Sequence, residues 1–361
     1  MRVVPIDQTR GLAIAAMILA HFGPGVWNRM GITGPLLDCL LLIGRLATPT
    51  FIAIFGFTLA FAYVPKARTS PKIVRAKLIG RSRLVFLAAV CVSIPTFLAT
   101  LQSRSHWGNS LALNIALDLY GVLFFYTLAI LCAGLLIGPI SRAPYALPAV
   151  MGSGAVFVGT FLGYDAWASQ GETLSELFRL VLVSGKYAFF TNFGVALMLV
   201  SLGWHMRNLL NSGQRLAPVL LSIGTVMLFL GLGMGRIVGW RRLSDLHSGY
   251  DAPPQVWYLC MVVGVMLLAM AFFASVRIPF VSFFLEHTGR NPLSIYVAHA
   301  FVLPGGSFLR QVFPNVPDTV NIAFPLCLFL LFWVFVVMKS ARLLPKGMAP
   351  RSDAPHPHQY E

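Results

Sequence analysis

Arg10 and His21 stand at the two ends of an unbroken apolar run, Gly11-Leu-Ala-Ile-Ala-Ala-Met-Ile-Leu-Ala20. In an α-helix, eleven steps of about 100° make roughly three turns plus 20°. The guanidinium and the imidazole therefore share one face, about 16 Å apart along the axis at roughly 1.5 Å per residue. Asp7, Ile14 and Met17 fall on the same stripe. Ionisable groups inside an oily helix are costly in lipid and mark function by default. The planar fork of an arginine suits an anion such as a phosphate. An imidazole, with an ordinary pKa of about 6.5, can take a proton from a hydroxyl or amine near neutral pH, or accept a group itself as a nucleophile. On this reading Arg10 binds an anion and His21 is base or nucleophile. The plainer alternative is an Asp7–Arg10 pair near the helix start and a His21 satisfied at an interface. Gly23 and Pro24 predict that the helix ends or bends just beyond His21, which would open space beside the ring.

The frame around that stripe is apolar. Of 361 residues, 57% are hydrophobic and only 11% are charged, far from the quarter or so that soluble domains carry. Runs long enough to cross about 30 Å of hydrocarbon recur from end to end. The pattern predicts an all-α polytopic membrane protein with ten spans, near 8–27, 46–64, 82–101, 111–137, 145–164, 181–204, 216–235, 256–275, 289–309 and 322–343. A short apolar piece at 35–44 reads as interfacial or re-entrant. One transmembrane domain covers 1–344, and the Pro-, His- and charge-rich residues 345–361 read as a disordered tail. The first helix reads as retained rather than as a cleaved signal, because Asp7 and Arg10 flank its apolar run, no small-x-small cleavage site is clear, and more spans follow.

The net charge of +15 would suggest nucleic acid in a soluble protein. Here topology accounts for it. With the N-terminus inside, 18 of the 27 Lys and Arg residues fall on the inner side, seven of them between Lys66 and Arg83. Both termini are expected in the cytoplasm, with membrane lipids and not nucleic acid as the surroundings. The five cysteines are scattered singly, so neither a metal site nor a disulfide framework is expected.

Other spans carry further candidates. Asn114 and Asp118 are spaced i,i+4, and a carboxylate inside a span needs a partner. Asp118 could orient the His21 ring or pair with Arg45. Arg290 and Asn291 sit at the inner end of the ninth span, with Tyr296 and His299 deeper on one face. These could line a tunnel or an acceptor site, or could simply join helices by hydrogen bonds. Lys186, Tyr187 and Asn192 open the sixth span from outside, where Lys186 could meet an acceptor or snorkel to the interface. Trp107, Trp167, Trp204 and Trp257 read as interface anchors. The outer loop 236–255 is polar, with nothing diagnostic in it.

The opening Asp7-x-x-Arg10-Gly-Leu-Ala, with a histidine eleven residues after the arginine, resembles the membrane-bound acyltransferase superfamily. That superfamily includes the acyltransferase-3 family, the glucan-succinylating membrane proteins and the heparan-alpha-glucosaminide N-acetyltransferase family. Gly80-Arg81-Ser-Arg83-Leu is similar to the basic motif of acyltransferase-3 proteins. Asp251-Ala-Pro-Pro-Gln-Val-Trp-Tyr258 resembles the paired-proline start of a late helix in the glucosaminide acetyltransferase group. Gly289-Arg-Asn-Pro-Leu-Ser-Ile-Tyr296-Val-Ala-His299 resembles that group's penultimate helix.

The resemblance implies transfer of a short acyl group, acetyl or succinyl, from cytoplasmic acyl-CoA to an extracytoplasmic glycan, lipid-linked or other hydroxyl or amine acceptor, in a bacterial inner membrane. Arg10 and His21 would form the catalytic core with Asp118 in support. Arg10, Arg81, Arg83 and Arg290 would hold the donor, and Tyr296, His299 and Lys186 would face the acceptor or the acyl path. The competing reading is a secondary transporter or flippase without acyl chemistry, since buried ionisable groups also suit substrate pathways. No internal repeat is visible, which counts against it.

Overall fold

The structure, a computed structural model, describes residues 3–27, 35–102, 119–164, 174–240, 254–302 and 318–342. Asn114, Asp118, Trp107, Trp167, most of the outer loop 236–255 and the proposed tail lie outside the described residues. Every element among the described residues is helical. Hydrogen bonding explains this: in hydrocarbon a helix satisfies its own backbone, and an open strand does not.

Helix α1 spans Val4–Trp27. It does not end at Gly23-Pro24 but runs on to Trp27, because a proline forfeits one backbone bond while a broken helix in an apolar setting would expose several. Helix α2 (Pro35–Thr58) continues through a π-helical turn, Leu59–Tyr63, into α3 (Val64–Thr69). The apolar piece at 35–44 is thus the upper part of one column and not a separate segment. It is held there by close contact: a Cβ on Gly44 would lie 2.6 Å from the Ala20 Cβ of α1. Then come α4 (Pro71–Gln102), α5 (Val122–Arg142) and α6 (Ala146–Tyr164). Helix α7 (Leu174–Arg179) passes through a second π-helical turn, Leu180–Ser184, before α8 (Phe189–Asn211). Helices α9 (Leu216–Val238), α10 (Val256–Ser275), α11 (Pro279–Arg290), α12 (Pro292–Val302) and α13 (Asp318–Arg342) complete the chain.

Among the described residues, seven helical stretches are long and apolar enough to cross a membrane: Leu37–Thr69, Val122–Arg142, Ala146–Gly163, Leu177–Asn211, Leu216–Val238, Val256–Ser275 and Ala323–Arg342. The first and third spans expected from sequence lie in the long helices α1 and α4. The ninth begins as the shorter apolar helix α12. Outward faces of α6, α9 and α13 expose Phe157, Phe161, Phe229, Leu331 and Phe335, as lipid-facing surfaces do. The tryptophans depart from expectation. Trp204 and Trp257 are each 4% exposed and pack inside the protein instead of anchoring an interface.

Two features position the site. The first is a short helix that sequence periodicity passes over. Residues 276–288 read as a loop, yet Pro279 sits at the first helical turn and α11 follows. Helix α11 crosses the foot of α1 and buries its polar start, leaving Asp7, Gln8 and Thr9 at 8% exposure or less. The crossing is glycine on glycine: a Cβ on Gly289 would lie 1.8 Å from the Asp7 carbonyl oxygen, and one on Gly11 would lie 2.1 Å from that of Leu285. Small residues let two backbones meet this closely. The second feature is the break at Asn291-Pro292, where proline disfavours helix in the residue before it. Asn291 caps the break by donating from Nδ2 to the His287 carbonyl at 3.0 Å. Helix α12 then packs against α1, α4 and α13, so its inner face meets the stripe of α1.

Candidate functional site

Arg10 projects from α1 into a knot of three elements. Its Nη1 donates to Asp7 Oδ1 and to the Gly289 carbonyl, both at 3.0 Å, and its Nη2 donates to Thr58 Oγ1 at 2.5 Å. Thr58 in turn donates to the Ile54 carbonyl. The pairing with Asp7, the plainer expectation, is therefore real and does not exclude the other: Arg10 is braced by it while still lining a cavity.

That cavity has a volume of about 400 Å³ and lies between α1, α2, α4, α5 and α12. Arg10, Arg81 and Arg290 gather on its wall, and its flanks are apolar, with Ile14, Met17, Phe51, Phe55, Leu84 and Tyr126 among them. The middle of the stripe read from spacing lines the cavity, with Arg10, Ile14 and Met17 facing it, whereas Asp7 and His21 at its two ends are not on the wall.

The three arginines are not equivalent. Asp7 balances Arg10, and Glu286 forms an ion pair with Arg290 within α11. Arg81 is exposed, lies over the Tyr63 ring at 5.6 Å from its centroid, and forms no ion pair with a described carboxylate. Arg83 is not on the cavity wall, because two helical steps turn it about 200° from Arg81. Leu84 and Val85, three and four residues beyond Arg81, share its face instead.

Towards the other end of α1, His21 meets His299. Nε2 of His299 lies 3.1 Å from Nδ1 of His21, and the rings are tilted with centroids 5.0 Å apart. His299 is fully buried, whereas His21 is exposed. Tyr296 links this pair to the cavity: it lines the wall, and its ring stands edge-on to His299 at 4.8 Å. Phe329 and Trp333 of α13 back the pair, and Trp333 donates to Thr288 Oγ1 at 2.9 Å, tying α13 to α11.

Of the residues expected from sequence, the structure brings Arg10, Arg81, Arg290 and Tyr296 to one cavity, and His21 and His299 to each other. Lys186 is not on the cavity wall; its ammonium lies 5.9 Å from the centroid of the Tyr187 ring. Asp118 lies outside the described residues, and among those described it is His299 that bonds the His21 ring. Thr58 and Glu286 escape sequence reading. Thr58 looks like any small polar residue in a span. Glu286 is legible only as the i,i+4 partner of Arg290, which requires 279–290 to be helical.

A profile of the family described as heparan-alpha-glucosaminide N-acetyltransferase, catalytic, matches residues 2–188. No curated protein matches the chain. The matched stretch carries Arg10, His21, Arg81 and Lys186, while Arg290, Tyr296 and His299 come from beyond it.

Proposed function

The chain belongs to the heparan-alpha-glucosaminide N-acetyltransferase catalytic family, and from that premise we propose that it is a membrane-embedded acyltransferase using acyl-CoA from the cytoplasmic side. The acyl group is acetyl or succinyl, and the acceptor is a glycan or lipid-linked hydroxyl or amine on the opposite side of a bacterial inner membrane. We further propose ten crossings with both termini cytoplasmic, and kinship with the acyltransferase-3 and glucan-succinylating families.

One observation carries this reading: a cavity, cationic where Arg10, Arg81 and Arg290 gather, is walled by Tyr296, whose ring packs on His299 of a histidine pair just beyond the lining. Coenzyme A is a phosphate-bearing head on a thin arm that ends in a thioester. The arginine forks suit the phosphates, the apolar walls suit the arm, and Tyr296 separates that wall from His299, the partner of His21.

The hydrogen bond between the rings sets the chemistry. Nδ1 of His21 is committed to His299, so Nε2 is the nitrogen left for substrate. For Nε2 to act as a base it must carry a lone pair, so Nδ1 must hold the proton and donate it to Nε2 of His299. His299 is then neutral, protonated at Nδ1, and acts as a positioning residue. The acceptor hydroxyl or amine gives its proton to His21 Nε2 and attacks the thioester carbonyl carbon. The carbon–sulfur bond breaks, and the departing thiolate takes the proton back from the imidazolium. A route through an acyl-histidine would use the same nitrogen.

The testing experiment is a thiol-release assay with purified protein and acetyl-CoA. Thiol should appear only when an acceptor glycan or amine is added; binding of acetyl-CoA without thiol release in any acceptor pool would refute acyl transfer and favour a transport role. A second expected outcome separates Arg81 from Arg83 on α4. Arg81→Gln should raise the donor dissociation constant roughly ten- to a hundredfold, since a hydrogen bond to a charged group contributes about 1.5–3 kcal/mol. Arg83→Gln should leave donor affinity within about twofold, within the ordinary ±0.5 kcal/mol of a surface change. Calorimetry in detergent measures both, and equal losses would sink the assignment of Arg81.

A further inference from the structure

A second basic pocket, built from none of the residues of the first cavity, lies where α3 and the start of α4 meet the end of α5. Its volume is about 450 Å³, and it is lined by Ala67, Arg68, Pro71, Gly138, Ser141 and Arg142. Arg68 is fixed in place: its Nε donates to the Ser141 carbonyl at 3.1 Å, and its guanidinium carbon lies 4.5 Å from the centroid of the Trp204 ring. The guanidinium of Arg207 lies over the same indole at 5.2 Å. Two like charges therefore share one buried ring, and Nε of Arg207 is buried without a partner among the described residues. No described carboxylate pairs with Arg68, Arg142 or Arg207. Like charges held this close repel, although Arg68 itself is exposed and Arg207 half-buried. Stacking on an indole offsets part of that cost but leaves the hydrogen-bonding edges of the guanidinium unused. Neither terminal nitrogen of Arg68 has a partner among the described residues, so its fork is oriented and available.

We propose that this pocket binds a phosphate group, with Arg68 and Arg142 holding the oxygens and Arg207 supplying field from behind the indole. Arginine forks match phosphate oxygens in pairs, and a dianion or diester would relieve the uncompensated charge. The same chemistry is offered by the headgroup of an anionic lipid and by a soluble phosphate. The site is separate from the acyl-transfer reading and does not depend on it.

The test uses the full chain in phosphatidylcholine nanodiscs and reads thermal unfolding. One arm adds inorganic phosphate against chloride at equal ionic strength. The other replaces part of the phosphatidylcholine with phosphatidylglycerol. At least one arm should raise Tm by about 2 °C, the shift that a millimolar ligand gives a chain of this size. A rise in the lipid arm alone assigns the pocket to a headgroup; a rise with inorganic phosphate alone assigns it to a soluble anion; a rise in both supports a general phosphate site. The rise should vanish in Arg142→Gln, whose side chain is exposed and has no partner among the described residues, and persist in Lys77→Gln, an exposed cation of α4 outside the pocket. Gly138→Leu should abolish it by filling the space, since a Cβ there meets nothing within 4 Å and the fold has no reason to shift. No rise in either arm, or a rise that Arg142→Gln and Gly138→Leu leave intact, overturns the proposal.

Discussion

His21→Ala should lower acyl transfer by roughly a hundred- to ten-thousandfold, the usual contribution of a positioned general base, while the protein still inserts and binds its donor. The side chain is exposed, so removing it opens no buried cavity and should cost little stability. Its partner behaves differently. His299 is fully buried against Tyr296 and Phe329. His299→Phe would keep the volume but remove the acceptor for His21 Nδ1–H, freeing the ring to turn and to change tautomer. Turnover should fall, and the limb of the pH–rate profile set by His21 should shift, while the donor dissociation constant stays near wild type. His299→Gln, which can present an amide oxygen to Nδ1–H, should recover part of the rate. The measurements are initial rates across pH with acetyl-CoA and acceptor, together with calorimetry for the donor. Near wild-type turnover in His21→Ala would end the catalytic assignment. A uniform rate drop in His299→Phe with an unchanged profile, and no recovery in the glutamine variant, would reduce His299 to packing.

The second large effect is expected from a single methyl group. In Gly289→Ala the new Cβ would lie 1.8 Å from the Asp7 carbonyl oxygen, and the obstacle is backbone, not a movable side-chain tip. Helices α1 and α11 must separate, which breaks the bond from Arg10 to the Gly289 carbonyl and disturbs the carboxylate that braces Arg10. Overpacking of this kind costs about 1–3 kcal/mol and sometimes more, and here it strikes structure and donor site together. We expect a Tm lowered by several degrees and donor affinity reduced at least tenfold. Gly138→Ala, an equally helical glycine with open space around it, should change neither, and thermal unfolding beside calorimetry compares the pair. If Gly289→Ala matched wild type in both, the close crossing would be wrong.

The face of α1 is legible in the sequence, because 3.6-residue periodicity is local and the run between Arg10 and His21 is uninterrupted. What that face meets is not. The partner of His21 is 278 residues away and that of Arg10 is 279 away, and spacing says nothing about such distances. Asp118 looks the better companion for the imidazole because a carboxylate in a span demands a partner. His299 looks like an acceptor contact because only Tyr296 stands near it in sequence. Helix α11 stays hidden for a different reason. It is short and mixes Phe with Ser, Glu and His, so no hydropathy window registers it. The separation of Arg81 from Arg83 is legible in principle, since two helical steps reverse a direction. It is masked by the ordinary role of arginines at a cytoplasmic helix end.

The crossing of α1 by α11 and α12 also bears on how such a protein is made. Membrane insertion proceeds from the N-terminus, so the first helix enters the bilayer long before its counterparts leave the ribosome. Until Gly289 and His299 arrive, His21 lacks its imidazole companion and Arg10 lacks the carbonyl of Gly289. A nascent or truncated chain would thus be inert towards a reactive thioester, and the machinery would switch on only when biogenesis is nearly complete.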